Sequence, residues 1–142
     1  MAGTQRGPLP SRLTLLADLP TLPPAAKVRV LGCVTGYSTK KAVLTLEHNH
    51  PAGNGIKALV DVELLLNMLK SNETQVGEWV NVIGYTVASI ENNALMKDSA
   101  ETTHNVRIQA LVLWSAGPLK LSGYERSLDQ LKYEEAVHRT TD

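Results

Sequence analysis

Hydrophobic and polar residues alternate with a period of two in five segments of the chain. The clearest lies within residues 76–90, where a Gly77-Glu78 turn is followed by alternation from Trp79 to Ala88. Such alternation is typical of a β-strand. Both faces are largely apolar, which indicates a central strand, and Gly84 in its middle indicates a bulge where a sheet closes into a small barrel. The face that carries Trp79 and Tyr85 suits either the barrel interior or an outer platform.

Four further strands follow from the same period. They are predicted at Lys27–Tyr37, Lys41–His48, Ile56–Val62 and Val106–Trp114. Residues 38–40 form a polar turn and residues 48–55 an eight-residue loop by composition. A turn at residues 91–93 and a polar loop at residues 97–103 precede the last strand.

Two segments depart from the strand period and predict helices. Residues 63–71 carry unbranched leucines and a methionine, which favours a short helix between the third and fourth strands. Ser122 and Glu125 have the spacing of a capping box, so a second helix is expected from Gly123 to about His138.

The C-terminal helix has two apolar patches at about 100° per residue. Leu121, Tyr124, Leu128 and Leu131 cluster on one side, and Tyr133 and Val137 project roughly opposite. A helix that lies on its own barrel needs only one apolar side, so the other predicts a binding partner. The sequence leaves open which patch faces inward, and all of these residues except Leu121 are candidate partner contacts.

Five strands with a helix between the third and fourth have the order of the OB-fold. This is an all-β Greek-key barrel, here with peripheral helices, and a generic five-stranded α+β sheet is the alternative. Five of the seven prolines precede residue 25, so residues 1–10 are expected to be a mobile N-terminal arm. Residues 11–142 are expected to form one domain, with the leucine-rich residues 11–24 lying along the barrel as a short strand or helical turn.

The composition of the chain limits the cellular compartments and binding partners that we expect for it. The chain has 142 residues, 43% of them hydrophobic, and one cysteine, Cys33, which fits a reducing compartment such as the nucleus or cytosol. No apolar run reaches the roughly 18 residues of a membrane span, so no membrane association is expected. The formal net charge is zero, which argues against a strongly electrostatic nucleic-acid binder.

Apart from the partner contacts on the C-terminal helix, the candidate functional residues in the sequence suit nucleic-acid binding only. Tyr37, Lys40 and Lys41 lie at the tip of the first hairpin, where they suit base stacking and phosphate contacts or form a solvated turn. Arg29 and Arg107 either extend that surface or lie on the outer face of their strands. His48 and His50 lack a third ligand at useful spacing, so neither a metal nor another cofactor is expected. No catalytic motif is present, and an enzyme is not expected.

Three segments resemble a known family. Residues 28–37, 76–85 and 106–117 resemble the smallest subunit, "Ten-one", of the telomere-capping CST complex in its filamentous-fungal form. The similarity runs from about Leu13 to the C-terminal helix, although the Gly-x-Trp-Val-x-Val-x-Gly motif also suits other OB-folds. The resemblance implies a non-enzymatic nuclear subunit at telomeres, with Tyr133 matching the family's tyrosine position as the first choice for a partner contact.

The resemblance also implies the partners. The C-terminal helix would pair with a helix of a larger OB-fold subunit, and this heterodimer would join the large subunit in a heterotrimer. Telomeric single-stranded DNA would be bound mainly through the complex, with weak direct binding by this chain. The small subunit of replication protein A and an autonomous single-stranded nucleic-acid binding module remain alternatives.

Overall fold

One sheet makes up most of the molecule, and β5 closes it into a barrel. The computed structural model describes residues 10–88 and 104–140. The strands pair in the order β1-β2-β3-β4-β6-β5, and β5 also pairs with β2. Their bounds are β1 Arg12–Leu13, β2 Lys27–Ser38, β3 Val43–Glu47, β4 Ile56–Asp61, β5 Trp79–Val87 and β6 His104–Ser115. A single α-helix, α1, spans Leu121–Thr140 in the described part of the chain.

The five predicted strands are confirmed as β2 to β6, with ends that differ by a few residues. The β4–β6 pair is parallel, whereas β2–β3, β3–β4, β5–β6 and β2–β5 are antiparallel. This is the mixed five-stranded barrel of the OB-fold. The remaining strand, β1, has two residues and lies parallel to β2.

The bulge predicted at Gly84 is also confirmed. The register between β5 and β6 shifts between Ile83 and Gly84, where the backbones come very close. A Cβ at Gly84 would lie 2.2 Å from the carbonyl oxygen of Gln109. Only glycine fits there, and the bend lets β5 reach both β2 and β6.

The barrel interior is filled by the even-numbered residues of β2 as far as Val34, and of β3, β4 and β5. These residues are aliphatic apart from Gly32, Gly84 and Thr86, and a 3-10 helix at Leu16–Thr21 adds two leucines from the barrel's end. The cluster includes Leu16, Leu19, Val28, Val30, Val34, Leu44, Leu46, Ala58, Val60, Val80, Val82, Ile108 and Ala110. Residues 11–24 therefore lie along the barrel, as the leucines predict. Residues 1–9 of the predicted arm, the turn at 91–93 and the loop at 97–103 lie outside the described residues.

The segment between β4 and β5 corrects one prediction. In place of one helix over residues 63–71, it contains two 3-10 helices, Glu63–Leu65 and Ser71–Thr74. Lys70 between them has extended backbone angles. Its N–H donates to Glu73 Oε1 at 2.9 Å, which starts the second helical turn.

The pattern of burial explains why this segment is not a continuous helix. Leu65 and Leu69 pack toward the core, whereas Leu64, Leu66 and Met68 are exposed. Because these apolar side chains point in several directions, a single helix could not bury all of them against the barrel. A helix this short is marginal without such packing.

The predicted capping box is wrong. Helix α1 begins at Leu121, so Ser122 lies inside the first turn rather than before it, and the Tyr124 N–H donates to the Lys120 carbonyl oxygen. The Glu125 carboxylate is bound to His48 instead of a backbone N–H. A long-range partner has replaced the local one, while the predicted helix itself is confirmed.

Candidate functional site: helix α1 and the outer sheet face

Helix α1 rests on the barrel through a small apolar layer of its own. Leu128 is 2% exposed and lines one groove together with Leu15. Leu15, Leu31 and Leu128 are all buried, and none of them belongs to the core cluster of the barrel interior. Leu31 is on the outward side of β2, opposite Asn81 of β5. The side of α1 that carries Leu128 therefore faces inward, which settles the choice that the sequence leaves open.

His48 fixes the N-terminal half of α1. Its Nε2–H donates to Glu125 Oε2 at 2.8 Å, and its side chain is 1% exposed. The imidazole ring contacts the edge of Trp79, with ring centroids 5.4 Å apart, and the Tyr124 ring at 6.2 Å. A hydrogen bond to a carboxylate from a buried donor is among the stronger side-chain interactions, so this contact orients the helix.

Sequence analysis missed this role because His48 looks like the first residue of a polar loop. The available signal is the strand period. Ala42, Leu44 and Leu46 are buried on alternate residues of β3 and its preceding turn, and His48 occupies the next position in that phase. A histidine at a buried position needs a hydrogen-bond partner, which predicts a distant acceptor.

Three more side-chain pairs follow α1 toward its C-terminus. His50 Nε2 lies 3.1 Å from Asp129, Lys132 Nζ lies 3.1 Å from Asp18, and Arg12 lies 3.3 Å from Glu135. Each pair is partly exposed and contributes little stability by itself. Together with His48 they hold the helix to the barrel at four places along its length.

The outward side of α1 carries the exposed candidates. Tyr133 is 66% exposed and Val137 41% exposed, and they lie about 40° apart around the helix. Leu131, 39% exposed, lies nearer the barrel, where Leu13 and Ala136 help to line a groove of about 320 Å³. We call Tyr133 and Val137 the outer stripe of α1.

Two predicted partner residues are less accessible. Leu128 is buried within the chain, so it positions α1 and offers no surface. Tyr124 is half-buried, and its hydroxyl is buried without a hydrogen-bond partner among the described residues. Burial raises the pKa of the Tyr124 phenol, while the nearby Arg29 lowers it by a smaller amount.

The candidate nucleic-acid residues fall into two separate places. Lys40 and Lys41 are exposed at the β2–β3 turn, but Tyr37 packs against the core and is only partly exposed. Arg29 is eight residues from Tyr37 along β2, a separation of about 26 Å. Arg29 and Arg107 instead lie on the outer face formed by β2, β5 and β6, so the structure does not bring the five residues together.

That outer face contains two cation–aromatic pairs. The Arg29 guanidinium lies 5.3 Å from the centroid of the Trp114 ring, and Lys27 Nζ lies 6.0 Å from that of Tyr85. Tyr85 and Trp79 thus point out of the barrel rather than into it. Helix α1 covers the Trp79 end through His48, and Tyr85 lies toward the other end of β5.

Neither a metal site nor a reactive thiol is indicated by the residues that the structure describes. Within residues 10–88 and 104–140, no three histidine, cysteine or acidic side chains are grouped to hold a metal ion. Cys33 is half-buried, and burial raises the pKa of its thiol, with the Glu47 and Glu78 carboxylates raising it further. Over the same ranges, no helix has both the length and the apolar character needed to cross a membrane.

Comparison with protein families identifies the chain. A family model described as Ten1, "Telomere capping, CST complex subunit", matches residues 1–129. The chain belongs to the Ten1 family. It is therefore a non-catalytic telomere-capping subunit of the CST complex, whose role is at chromosome ends, and the alternative of a replication protein A subunit is not supported. The matched range ends before Tyr133 and Val137, so it does not bear on their roles.

Solved structures agree on the Ten1 fold. A chain of the S. pombe Stn1–Ten1 complex superposes with a TM-score of 0.62 at 19% identity, covering 89% of this chain and 96% of its own. S. pombe Ten1 gives 0.61 at 19% identity, covering 87% and 99%. U. maydis replication protein A bound to single-stranded DNA gives 0.51 at 14% identity, covering 84% and 87%. No curated protein matches the chain by sequence.

Proposed function

We propose that this chain binds a larger OB-fold subunit of the Stn1 type through the outer stripe of α1. The observation that carries the proposal is the 66% exposure of Tyr133 on a helix held to the barrel at four places. A large aromatic side chain loses little conformational entropy on binding, and tyrosine is common among residues that dominate interfaces. In the S. pombe structure, a Ten1 is in complex with Stn1, which supports this choice of partner.

The anchoring of α1 strengthens the case. A helix that is already ordered and oriented does not lose that freedom when it docks, so more of the contact energy appears as affinity. The groove beside Leu131 and Leu13 continues the apolar surface from the helix onto the barrel. Because this groove lies on the side of α1 toward the barrel, a second part of the partner would fill it, so both the helix and a barrel face would take part.

The same proposal extends to the assembled complex. The heterodimer would join the large CST subunit, and the heterotrimer would bind telomeric single-stranded DNA mainly through its other subunits. In this role the chain stabilises the complex in the nucleus at the telomeric end of the chromosome. Its assignment to the filamentous-fungal form of the family stays a prediction.

Exchange of Tyr133 for alanine tests the proposal. We expect Tyr133→Ala to weaken binding to the Stn1 homologue of the same organism by about 30-fold, which corresponds to a hot-spot loss of about 2 kcal/mol. The dissociation constant is measured by isothermal titration calorimetry with the full chain. Circular dichroism checks that the barrel is still folded, since a side chain this exposed should not affect stability.

Met68→Ala is the matched control. Met68 is 69% exposed, close to the value for Tyr133, but lies between β4 and β5, away from α1. Its replacement should leave the affinity unchanged. If Met68→Ala weakens the complex and Tyr133→Ala does not, the contact lies on the exposed leucines and methionine of that segment, and the proposal fails.

A further inference from the structure

Strand β6 has a free edge in its second half. It pairs with β4 only as far as Gln109, whereas its pairing with β5 continues to Ser115. Strand β4 ends at Asp61, and the chain then enters the 3-10 helix at Glu63–Leu65, so it no longer runs beside β6 as a strand. Beyond Gln109, therefore, no strand of the described chain pairs with β6 on the side away from β5.

The backbone of this edge lacks hydrogen-bond partners. Residues 112–115 pair with residues 80–83 of β5, directly after the bulge. Every second residue of an antiparallel strand directs its N–H and C=O away from the partner strand. In the part of the chain that the structure describes, no hydrogen bond outside the β5–β6 ladder involves a backbone group of residues 112–115. Their edge-facing groups are therefore available to an added strand.

This edge also lacks the features that protect strand edges. Proteins commonly place lysine, proline or an inward-pointing charge on such an edge, because unpaired backbone groups otherwise recruit another strand. Val112, Leu113 and Trp114 carry no charge, and Val112 is 48% exposed. The extra residue of the bulge is Leu111, which precedes them and leaves their pairing with β5 regular. The edge is thus suited to strand pairing.

An apolar groove lies beside the free edge. Its volume is about 210 Å³, and it is lined by Leu65, Met68, Leu69, Leu111, Val112 and Leu113. Small-molecule sites usually measure roughly 300–1,000 Å³, so this groove suits single side chains better than a drug-sized ligand. None of its lining residues is charged, and Met68 is 69% exposed. The groove therefore favours an aliphatic side chain that comes from outside the barrel.

We propose that the free edge of β6 at residues 112–115 binds an extended, apolar segment of a protein partner as an added β-strand. Backbone hydrogen bonds hold the segment to the edge, and one of its side chains lies in the groove beside Met68. Strand addition takes its affinity from main-chain hydrogen bonds and its specificity from pockets for alternate side chains. A second copy of this chain fits less well, because Leu113 of its own edge packs against its core and cannot fill the groove.

This site is separate from the docking surface on α1. The edge and the groove contain neither Tyr133 nor Val137, so a heterodimer formed through the outer stripe still presents them to another protein. The inference therefore goes beyond the proposed function and does not depend on it. Met68 remains a valid control for the α1 contact, because its groove serves a different partner.

Hydrogen exchange of the full chain tests the free edge itself. Within residues 112–115, the amides that face the edge should exchange at least about tenfold faster than the alternate amides that face β5. Two-dimensional NMR follows each amide separately. Equally slow exchange of all these amides would show that the edge is already covered, and the proposal would be overturned.

A phage-displayed library of random octapeptides, panned on the immobilised full chain, supplies the probe. We expect the selected peptides to carry apolar residues at alternate positions, because only one face of an added strand meets the groove. Synthetic copies of these peptides should slow the exchange of the edge-facing amides of residues 112–115. Failure to select any peptide, or selection of peptides that leave these amides unchanged, overturns the proposal.

Two variants test the edge and the groove separately. Val112→Lys places a charge on the edge and Met68→Asp places one in the groove, and each should weaken the selected peptides at least about tenfold. Val87→Lys is the matched control, because Val87 is 43% exposed on β5 and does not line the groove. Its affinity should equal that of the wild type. Circular dichroism checks that all three variants are folded.

A pair of methylated peptides tests for strand pairing. One synthetic copy is N-methylated at its odd-numbered residues and the other at its even-numbered residues. An added strand pairs through one edge only, so one methylation should weaken binding about tenfold or more and the other should have little effect. Equal affinities of the two peptides would contradict strand addition.

The remaining outcomes distinguish this proposal from its competitors. If Tyr133→Ala abolishes peptide binding while Val112→Lys and Met68→Asp do not, the peptides bind the outer stripe and the edge proposal fails. If sedimentation equilibrium shows a wild-type dimer that Val112→Lys converts to a monomer, the edge pairs with a second copy instead. We expect a monomer, with Tyr133→Ala binding the peptides like the wild type.

Discussion

At the scale of single residues, close packing decides which side chains the barrel tolerates. Gly84 and Gly36 are both strand glycines, but their surroundings differ. A Cβ at Gly84 would meet the Gln109 carbonyl oxygen at 2.2 Å, whereas one at Gly36 would meet nothing nearer than Thr45 at 3.9 Å. The first position requires glycine, and the second accepts a larger residue.

Gly84→Ala should lower the free energy of unfolding by about 3 kcal/mol, because the backbones of β5 and β6 must separate to admit the methyl group. Gly36→Ala is its control and should change stability by less than about 0.5 kcal/mol. Urea denaturation followed by circular dichroism measures both. Equal stabilities of the two variants would contradict the close approach at Gly84.

Cys33 offers a residue-scale prediction about pH. Because burial and the Glu47 and Glu78 carboxylates raise the pKa of its thiol, the folded protein holds this proton more tightly than the unfolded chain. Its contribution to stability is present below the ordinary thiol pKa and is lost as pH rises through the raised value. Only the thiolate reacts with iodoacetamide, so alkylation at mildly alkaline pH should be slower in the folded protein than in urea.

Mass spectrometry follows this reaction directly, because Cys33 is the only cysteine in the chain. Glu47→Gln removes one of the charges that raise the thiol pKa and should speed alkylation of the folded protein. Equal rates in the folded and unfolded states would show that Cys33 is not protected.

At the scale of elements, α1 depends on contacts made far away in the sequence. His48 and Glu125 are 77 residues apart, yet their hydrogen bond orients the first half of the helix. The helix has no continuous apolar side that packs into the barrel interior. Polar contacts at its edges therefore do much of the positioning, with Leu128 as the central apolar contact.

Glu125→Ala should destabilise the docking of α1 by about 2 kcal/mol, because it leaves the buried His48 imidazole without its acceptor. Hydrogen exchange of the α1 amides should become faster, and affinity for the partner should fall although Glu125 is not on the outer stripe. Glu125→Gln keeps an amide oxygen as acceptor and should have a smaller effect. If α1 exchanges at the wild-type rate in Glu125→Ala, then His48 does not anchor the helix.

At the scale of the whole molecule, the barrel holds α1 so that its outer stripe faces away from the core. The proposed contact with a protein partner therefore involves none of the residues that close the barrel. This arrangement suits a small subunit that supports a larger complex.

Partner binding should also stabilise the whole fold by mass action. A partner present at 100 times its dissociation constant adds about 2.7 kcal/mol to the stability of the folded chain, so its unfolding temperature should rise with partner concentration. Differential scanning fluorimetry with a dye-labelled chain measures the shift. Tyr133→Ala should reduce the shift at a fixed partner concentration, and an identical shift in both proteins would argue against that contact.

Local periodicity was enough to predict the strands, the bulge at Gly84 and the C-terminal helix, because alternation and glycine placement reflect the geometry of each strand by itself. The segment at residues 63–71 and the capping box were predicted wrongly for the opposite reason. In residues 63–71, helix propensity favours a continuous helix, but only Leu65 and Leu69 pack against the core. In the capping box, Glu125 has the right local spacing, but its carboxylate binds the buried His48 instead.

The sequence by itself predicted an OB-type barrel, because the period and order of its strands are local features, and its resemblance to the family pointed to the CST subunit, with a generic α+β sheet and replication protein A as the alternatives. Only the tertiary structure decided that Leu128 faces inward, that Tyr133 faces outward and that Arg29 lies over Trp114. Those facts depend on how the barrel closes, which brings together residues that no local pattern connects. The exposed surface on α1 of this Ten1-family chain therefore depends on how the barrel closes, whereas the strands themselves follow from the sequence pattern.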